Sequence, residues 1–167
     1  MASLSRFIPI DSGDRNVVRD AWDGMHKLPG GRWLFSKTVG RLAPYTATID
    51  AKVEHLDIGK SRVILRDRPA VRNHLRCVHA IALVNLAELA GNVAIAYSMP
   101  NDARFIVAGL SIDYLKKARG TITAECDAPI VTTAERREYE VPVRMMNDAG
   151  EVVATATLRT LIGPKKR

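Results

Sequence analysis

The sequence predicts an α+β fold in which one curved antiparallel sheet wraps a single long helix, with two further helices ahead of it. Three observations predict it. The apolar residues recur at helical spacing before residue 45 and at a period of two after it. A nearly continuous apolar stretch, Val78 to Met99, separates two strand-like segments from four more. One helix cannot cover both faces of a six-stranded sheet, so a sheet curled around it is the economical arrangement.

Each element has its own local reason. Asp11 to Leu28 reads as the first helix, capped by Asp11, Ser12 or Asp14, with Val18, Ala21, Trp22, Met25 and Leu28 on one face. Pro29-Gly30-Gly31 stops it. Arg32 to Leu42 forms a second helix with Phe35, Val39 and Leu42 on one side. From Thr46, Ala47, Ile49, Ala51 and Val53 alternate with polar residues as in a half-buried strand. Asp57-Ile58-Gly59 turns into a strand at Arg62 to Leu65, and an arginine-rich connection, Arg66 to Arg72, leads to the long helix. Four strands follow Pro100-Asn101-Asp102: Phe105 to Tyr114, Thr121 to Cys126, Arg137 to Met146 and Val152 to Ile162. Asn147-Asp148-Ala149-Gly150 is a hairpin turn, and Pro142 marks an edge or a bulge. Within the long helix Ala80, Ala87, Ala90, Gly91 and Ala94 share roughly a third of the circumference, a seam where a sheet can press close. This is the hotdog architecture. It is expected as one domain over 1–167, with 1–45 a helical extension and 46–167 the core.

Composition narrows the function. The 167 residues are 47% apolar and 26% charged, ordinary for a globular chain. The start, Met1 to Ile10, has too short an apolar run for a signal peptide, and Val78 to Met99 carries His79, Asn85, Glu88 and Asn92, which a lone membrane span would not tolerate cheaply. Cys77 and Cys126 lack the spacing of a zinc site or a secreted disulfide framework, so buried, reduced thiols, a cytoplasmic location and no metal are expected. The net charge of +7 favours anionic partners. With aromatics at 5% and no recognition motif, phosphate-bearing small molecules are expected rather than nucleic acid.

Polar residues inside the apolar helix draw attention. Asn85, Glu88 and Asn92 share one stripe. For the two asparagines a solvated or dimer-facing strip is sufficient explanation, whereas a carboxylate there costs free energy unless it is paired or functional. Asn73, His74 and His79 precede the helix and each has a plain capping or core role open to it.

The joint spacing of Asn73, His79 and Glu88 resembles that of the Asn, the His of His-Gly-Gly and the acid in hotdog thioesterases of the phenylacetyl-CoA type. Leu86-Ala87-Glu88 looks like that family's Leu-Ala-Asp, and Leu110 to Gly120 is similar to its strand and loop after the helix. Arg32-Trp33-Leu34-Phe35-Ser36, Ala43-Pro44-Tyr45, Val71-Arg72-Asn73-His74 and Val78-His79-Ala80 resemble an uncharacterised bacterial branch of the superfamily more closely. One departure is Ala80-Ile81 in place of Gly-Gly.

The expected chemistry is hydrolysis of an acyl thioester. The backbone N–H of Ala80, at the positive end of the helix, would meet the developing oxyanion, with Asn73 and His79 orienting substrate or water. Glu88 would be the general base or, alternatively, a nucleophile. Ala80 and Glu88 stand about 12 Å apart along one helix axis, so a single chain does not easily bring both to one carbonyl. Two antiparallel helices across a two-fold axis would, and the resemblance implies the same homodimer, or a dimer of dimers. Coenzyme A enters as part of the substrate, with no other cofactor expected. Lys116, Lys117 and Arg119 are the first candidates for its phosphates, Arg72 and Arg76 the second. Two alternatives are a dehydratase or hydratase using His74 and Glu88, which lacks the expected Pro-Gly-Val at Ala82-Leu83-Val84, and a protein that binds acyl-CoA or lipid without chemistry.

Overall fold

The computed structural model describes residues 15–165. In chain order it contains α1 (Val17–Met25), α2 (Gly31–Leu42), β1 (Lys52–Asp57), β2 (Lys60–Leu65), α3 (Ala80–Ser98), β3 (Ala103–Tyr114), β4 (Ile122–Asp127), β5 (Arg137–Met146) and β6 (Val152–Pro164). The strands form one sheet in the order β1-β2-β4-β5-β6-β3, and every pairing is antiparallel. α3 touches all six strands, which a sheet achieves only by curving around the helix. The wrapped-helix architecture expected from the sequence is the one observed.

The helix sits where its composition requires. Among its residues Leu86, Ala87, Ala90, Ala94 and Ile95 are fully buried. A Cβ added at Gly91 would stand 2.8 Å from Leu158 Cδ2 and 3.4 Å from Val141 Cγ1, so this glycine is where sheet and helix press closest. Ser61 Oγ of β2 donates to the Ala90 carbonyl at 2.8 Å and pins the same seam. α3 is long and apolar enough to cross a membrane, but its apolar side chains are mostly spent on the sheet, as a core helix requires.

The N-terminal helices share this core. Trp22 of α1 and Phe35 of α2 are buried and meet edge to face at 5.1 Å. The expected caps Asp11, Ser12 and Asp14, like the expected start of the helix at Asp11 and the leader reading of Met1 to Ile10, lie outside the described residues. The cap of α1 is Asn16, whose side chain accepts from the Arg19 N–H at 2.9 Å. The helix ends at Met25, so Leu28 is exposed rather than part of the apolar face.

One expected element is different. Thr46–Ile49 is a 3₁₀ turn, not the start of a strand. Both the N–H and the hydroxyl of Thr48 donate to the Tyr45 carbonyl, at 3.1 and 2.6 Å, and such local bonds compete with a strand ladder. Ile49 is buried in either conformation, so the alternation of residue types did not discriminate. β1 begins at Lys52, where the Val53 N–H donates to Ser36 Oγ of α2 at 2.9 Å.

The remaining turns agree with expectation. The Gly150 N–H bonds the Asn147 carbonyl at 2.9 Å and closes the β5–β6 hairpin. β4 pairs with β5 only from Val143 to Met146, so Pro142 stands where β5 has lost its β4 neighbour and presents a local edge. Cys77 and Cys126 are both buried free thiols. Burial, with Asp127 nearby, pushes the Cys126 thiol up to about 12, which leaves it unreactive.

Candidate active site

The start of α3 is built by three converging segments. Asn73 organises the first. Its Oδ1 accepts from the N–H groups of Leu75 and Cys77 at 2.9 and 3.2 Å, and its own N–H bonds the Cys77 carbonyl at 2.8 Å. The loop is therefore tight enough to force Arg76 to a φ of 56°. His79 comes next, held by its N–H to the Val71 carbonyl at 2.8 Å, and caps the helix. Its Nδ1 accepts from the Ile81 N–H at 3.1 Å. The third segment is the loop after β3, whose Ala118 carbonyl accepts from the Val78 N–H at 2.8 Å. Tyr114, the last residue of β3, donates its hydroxyl to the Ala80 carbonyl at 3.2 Å.

This arrangement leaves specific groups open. Of the first helical N–H groups, Ile81 is taken by His79 and Leu83 by the His79 carbonyl, while those of Ala80 and Ala82 have no partner among the described residues. Beside them lies a hollow of about 200 Å³ lined by Ala82, Ile81, His79, Arg72, Asn85 and Tyr45, among others. Asn85 is buried and donates its Nδ2 to the Tyr45 carbonyl at 3.2 Å, so it belongs to a wall rather than to a solvated strip. Because that carbonyl can only accept, the amide orientation is settled, and Asn85 Oδ1 is left without a donor. Asn92 Oδ1 on the same stripe is also unpaired. Glu88, between them, is half-buried and makes no ion pair or hydrogen bond among the described residues. Tyr45 was not legible as a site residue because its neighbourhood reads as the start of a strand.

The expected residues thus fall into two places. Asn73, His79, Ala80 and the 116–119 loop come together at the start of α3; Glu88 stands two turns further along the helix. The expected cations also differ among themselves. Arg72 grips Asp67 through Nε and Nη2 at 2.7 and 3.1 Å, and Lys116 pairs with Glu151 at 2.7 Å. Arg76, Lys117 and Arg119 are exposed with no partner among the described residues. The Arg72 guanidinium holds the Asp67 carboxyl below its usual range, and Asp67 also accepts from the Gly120 N–H at 3.3 Å. Gly120 has a φ of 74°, and a Cβ there would collide with Asp148 Oδ2, so only glycine lets the cationic loop dock against both acids. No group of three or more metal-ligating side chains occurs among the described residues.

Comparison with known proteins places this geometry. No curated protein matches the chain significantly by sequence. Among solved structures, a structural-genomics protein, APC5556, is 30% identical with a TM-score of 0.76, over 88% of this chain and 98% of its own. The Pseudomonas aeruginosa protein PA5026, a protein of unknown function described as a probable thioesterase, is 22% identical with a TM-score of 0.71, over 82% of this chain and 97% of its own. The Staphylococcus aureus thioesterase SAV0944 is 15% identical with a TM-score of 0.64, over 72% of this chain and 99% of its own. At such identities these last two structures speak for the shared hotdog fold alone. The family model for the domain of unknown function DUF4442 matches residues 31–162, from the start of α2 into β6, and the chain is a member of that family.

Proposed function

We propose that this protein hydrolyses an acyl thioester, with coenzyme A as the leaving thiol, at a site completed by a second copy of the chain. One observation carries the reading: Glu88 lies half-buried on a core helix, and neither its carboxylate nor the Ala80 and Ala82 N–H groups at the start of that helix have a partner among the described residues. An acidic side chain in such a setting is retained where it has chemistry to do. The free N–H groups suit a thioester carbonyl that gains negative charge on attack. Glu88 would take a proton from the attacking water, and the oxyanion would collapse with loss of the coenzyme A thiolate.

The separation of the two along α3 calls for a partner helix. Support comes from β3, a twelve-residue strand at the edge of the sheet whose Ile106 and Tyr114 are exposed. An unpaired edge of this length and character invites another chain. Of the expected cations, Arg76, Lys117 and Arg119, which have no partner among the described residues, would meet the coenzyme phosphates.

Binding without hydrolysis is the second reading, and one contact favours it. His79 occupies the Ile81 N–H, so one donor that the Gly-Gly sequence would present is already in use. An acyl-CoA panel separates the two. Release of free thiol, with light scattering that reports a dimer or larger, supports the proposal. Saturable binding with no thiol released supports the second reading, and a fully active monomer would overturn the shared site.

A further inference from the structure

A larger cavity, about 680 Å³, lies away from the start of α3, between α2, the 3₁₀ turn, the start of β1 and the end of β2. Its size is in the range of about 300–1,000 Å³ usual for small-molecule sites. The 3₁₀ turn divides it from the hollow beside His79, since Thr46 and Ala47 face the larger space and Thr48 and Ile49 the smaller. Trp33, Val39, Ile64 and Leu89 supply an apolar lining.

The charges around it are unevenly matched. Asp50 is paired with Lys37 at 2.6 Å. Glu54 is paired with Lys52 at 2.7 Å and Arg32 at 3.2 Å. Burial pushes the Glu54 carboxyl up, but the hydrogen bonds from these two cations outweigh it and hold it below its usual range. Asp67 is gripped by Arg72. Every acid on the wall therefore has its own cation. Arg41 and Arg66 also line the cavity, and neither has an ion pair or hydrogen bond among the described residues. Two guanidinium groups with unused planar donors, set over an apolar lining and facing acids that are already neutralised, form a place for one kind of molecule.

We infer that this cavity binds an amphiphile with an anionic head, a carboxylate or a phosphate, which engages Arg41 and Arg66 while its hydrocarbon tail lies against Trp33, Val39, Ile64 and Leu89. The site is separate from the thioester site and does not depend on hydrolysis. Leu89 nonetheless follows Glu88 directly on α3, so an occupant would press on the turn that carries the acid.

Calorimetric titration of the full chain with decanoate, decyl phosphate and decanol, each below its micellar concentration, tests this. The anions should bind about tenfold or more tighter than the alcohol, the scale of one charge-assisted contact. Replacing both arginines (Arg41→Gln with Arg66→Gln) should remove that preference and leave decanol unchanged. Decanoate alone would identify a carboxylate ligand, and both anions a shared site for either head; each outcome upholds the inference. Ala47 is exposed on the cavity wall, so Ala47→Trp should block all three ligands without disturbing the core, with Thr46→Trp as the substitute if that variant unfolds. Equal affinity for decanol and decanoate in the unaltered protein, unchanged binding in the blocked variant, or no binding of any ligand would overturn it. Since no thioester is present, the result stands apart from the outcome of the acyl-CoA panel.

Discussion

The two ends of α3 are treated in opposite ways. At the C-terminal end the chain satisfies its own carbonyls. Asn16 Nδ2 donates to Ala96 at 2.7 Å and to Met99 at 3.1 Å, and Arg19 donates to Tyr97 at 2.7 Å and to Met99 at 2.8 Å. At the N-terminal end only His79 contributes a side-chain cap, and the Ala80 and Ala82 N–H groups remain open among the described residues. Every helix leaves backbone groups that it cannot pair itself, donors at its start and acceptors at its end, so both ends begin with the same need for partners. One end is finished as structure. The other is left with its donors beside a hollow, next to a histidine and a cationic loop, and polar satisfaction is what separates the structural end from the candidate site.

The largest expected effect breaks the open end. Glu88→Gln keeps the side-chain shape and removes the basic carboxylate, so thioester hydrolysis should fall by about 10²–10⁴, with the unfolding midpoint unchanged. Unaltered turnover in that variant would assign Glu88 to structure. The closed end should respond in the other currency. Asn16→Ala strips the buried Ala96 and Met99 carbonyls of a donor and removes the α1 cap, so stability should drop by about 1–3 kcal/mol in denaturant titration while kcat holds. Gly91→Val, midway along the helix, should cost about 1–3 kcal/mol by overpacking against Leu158 and Val141.

Smaller effects sharpen the comparison at the cationic loop. Lys117→Ala with Arg119→Ala should raise KM for acyl-CoA several-fold, on the order of 1 kcal/mol or less, because exposed charges are screened. The loss should shrink at high salt, and an N-acetylcysteamine thioester, which has no phosphates, should be indifferent. A pH effect is the smallest. Asp67 is held below its ordinary 3.8 in the folded chain, so its contribution is present above that pH and disappears as pH falls through the lower folded value. The protection of the Gly120 amide against hydrogen exchange, relative to its intrinsic rate at each pH, should therefore fall on acidification, and Asp67→Asn should abolish that change.

Periodicity and composition determined the element order, the buried central helix with its seam of small residues, and the position of Gly91, because each follows from which side chains can face a sheet at 100° per residue. They also determined that Glu88 is anomalous, since a carboxylate in an apolar helix is costly wherever the helix packs. Family resemblance joined Asn73, His79 and Glu88 into a candidate set. Only the folded structure decided the rest. The turn at Thr46–Ile49 is settled by bonds to the Tyr45 carbonyl, which residue alternation does not encode. Asn85 is a wall residue because Tyr45, forty positions away, comes to rest over it. Arg72 is paired with Asp67 in its own connection and Lys116 with Glu151 from the β5–β6 hairpin, while Lys117 and Arg119 have no partner among the described residues, a distinction that depends on where the folded loops carry these acids. Local patterns report what one segment prefers; which donors and charges are left over is a property of the assembled fold, because many of the partners that satisfy them arrive from elsewhere in the chain.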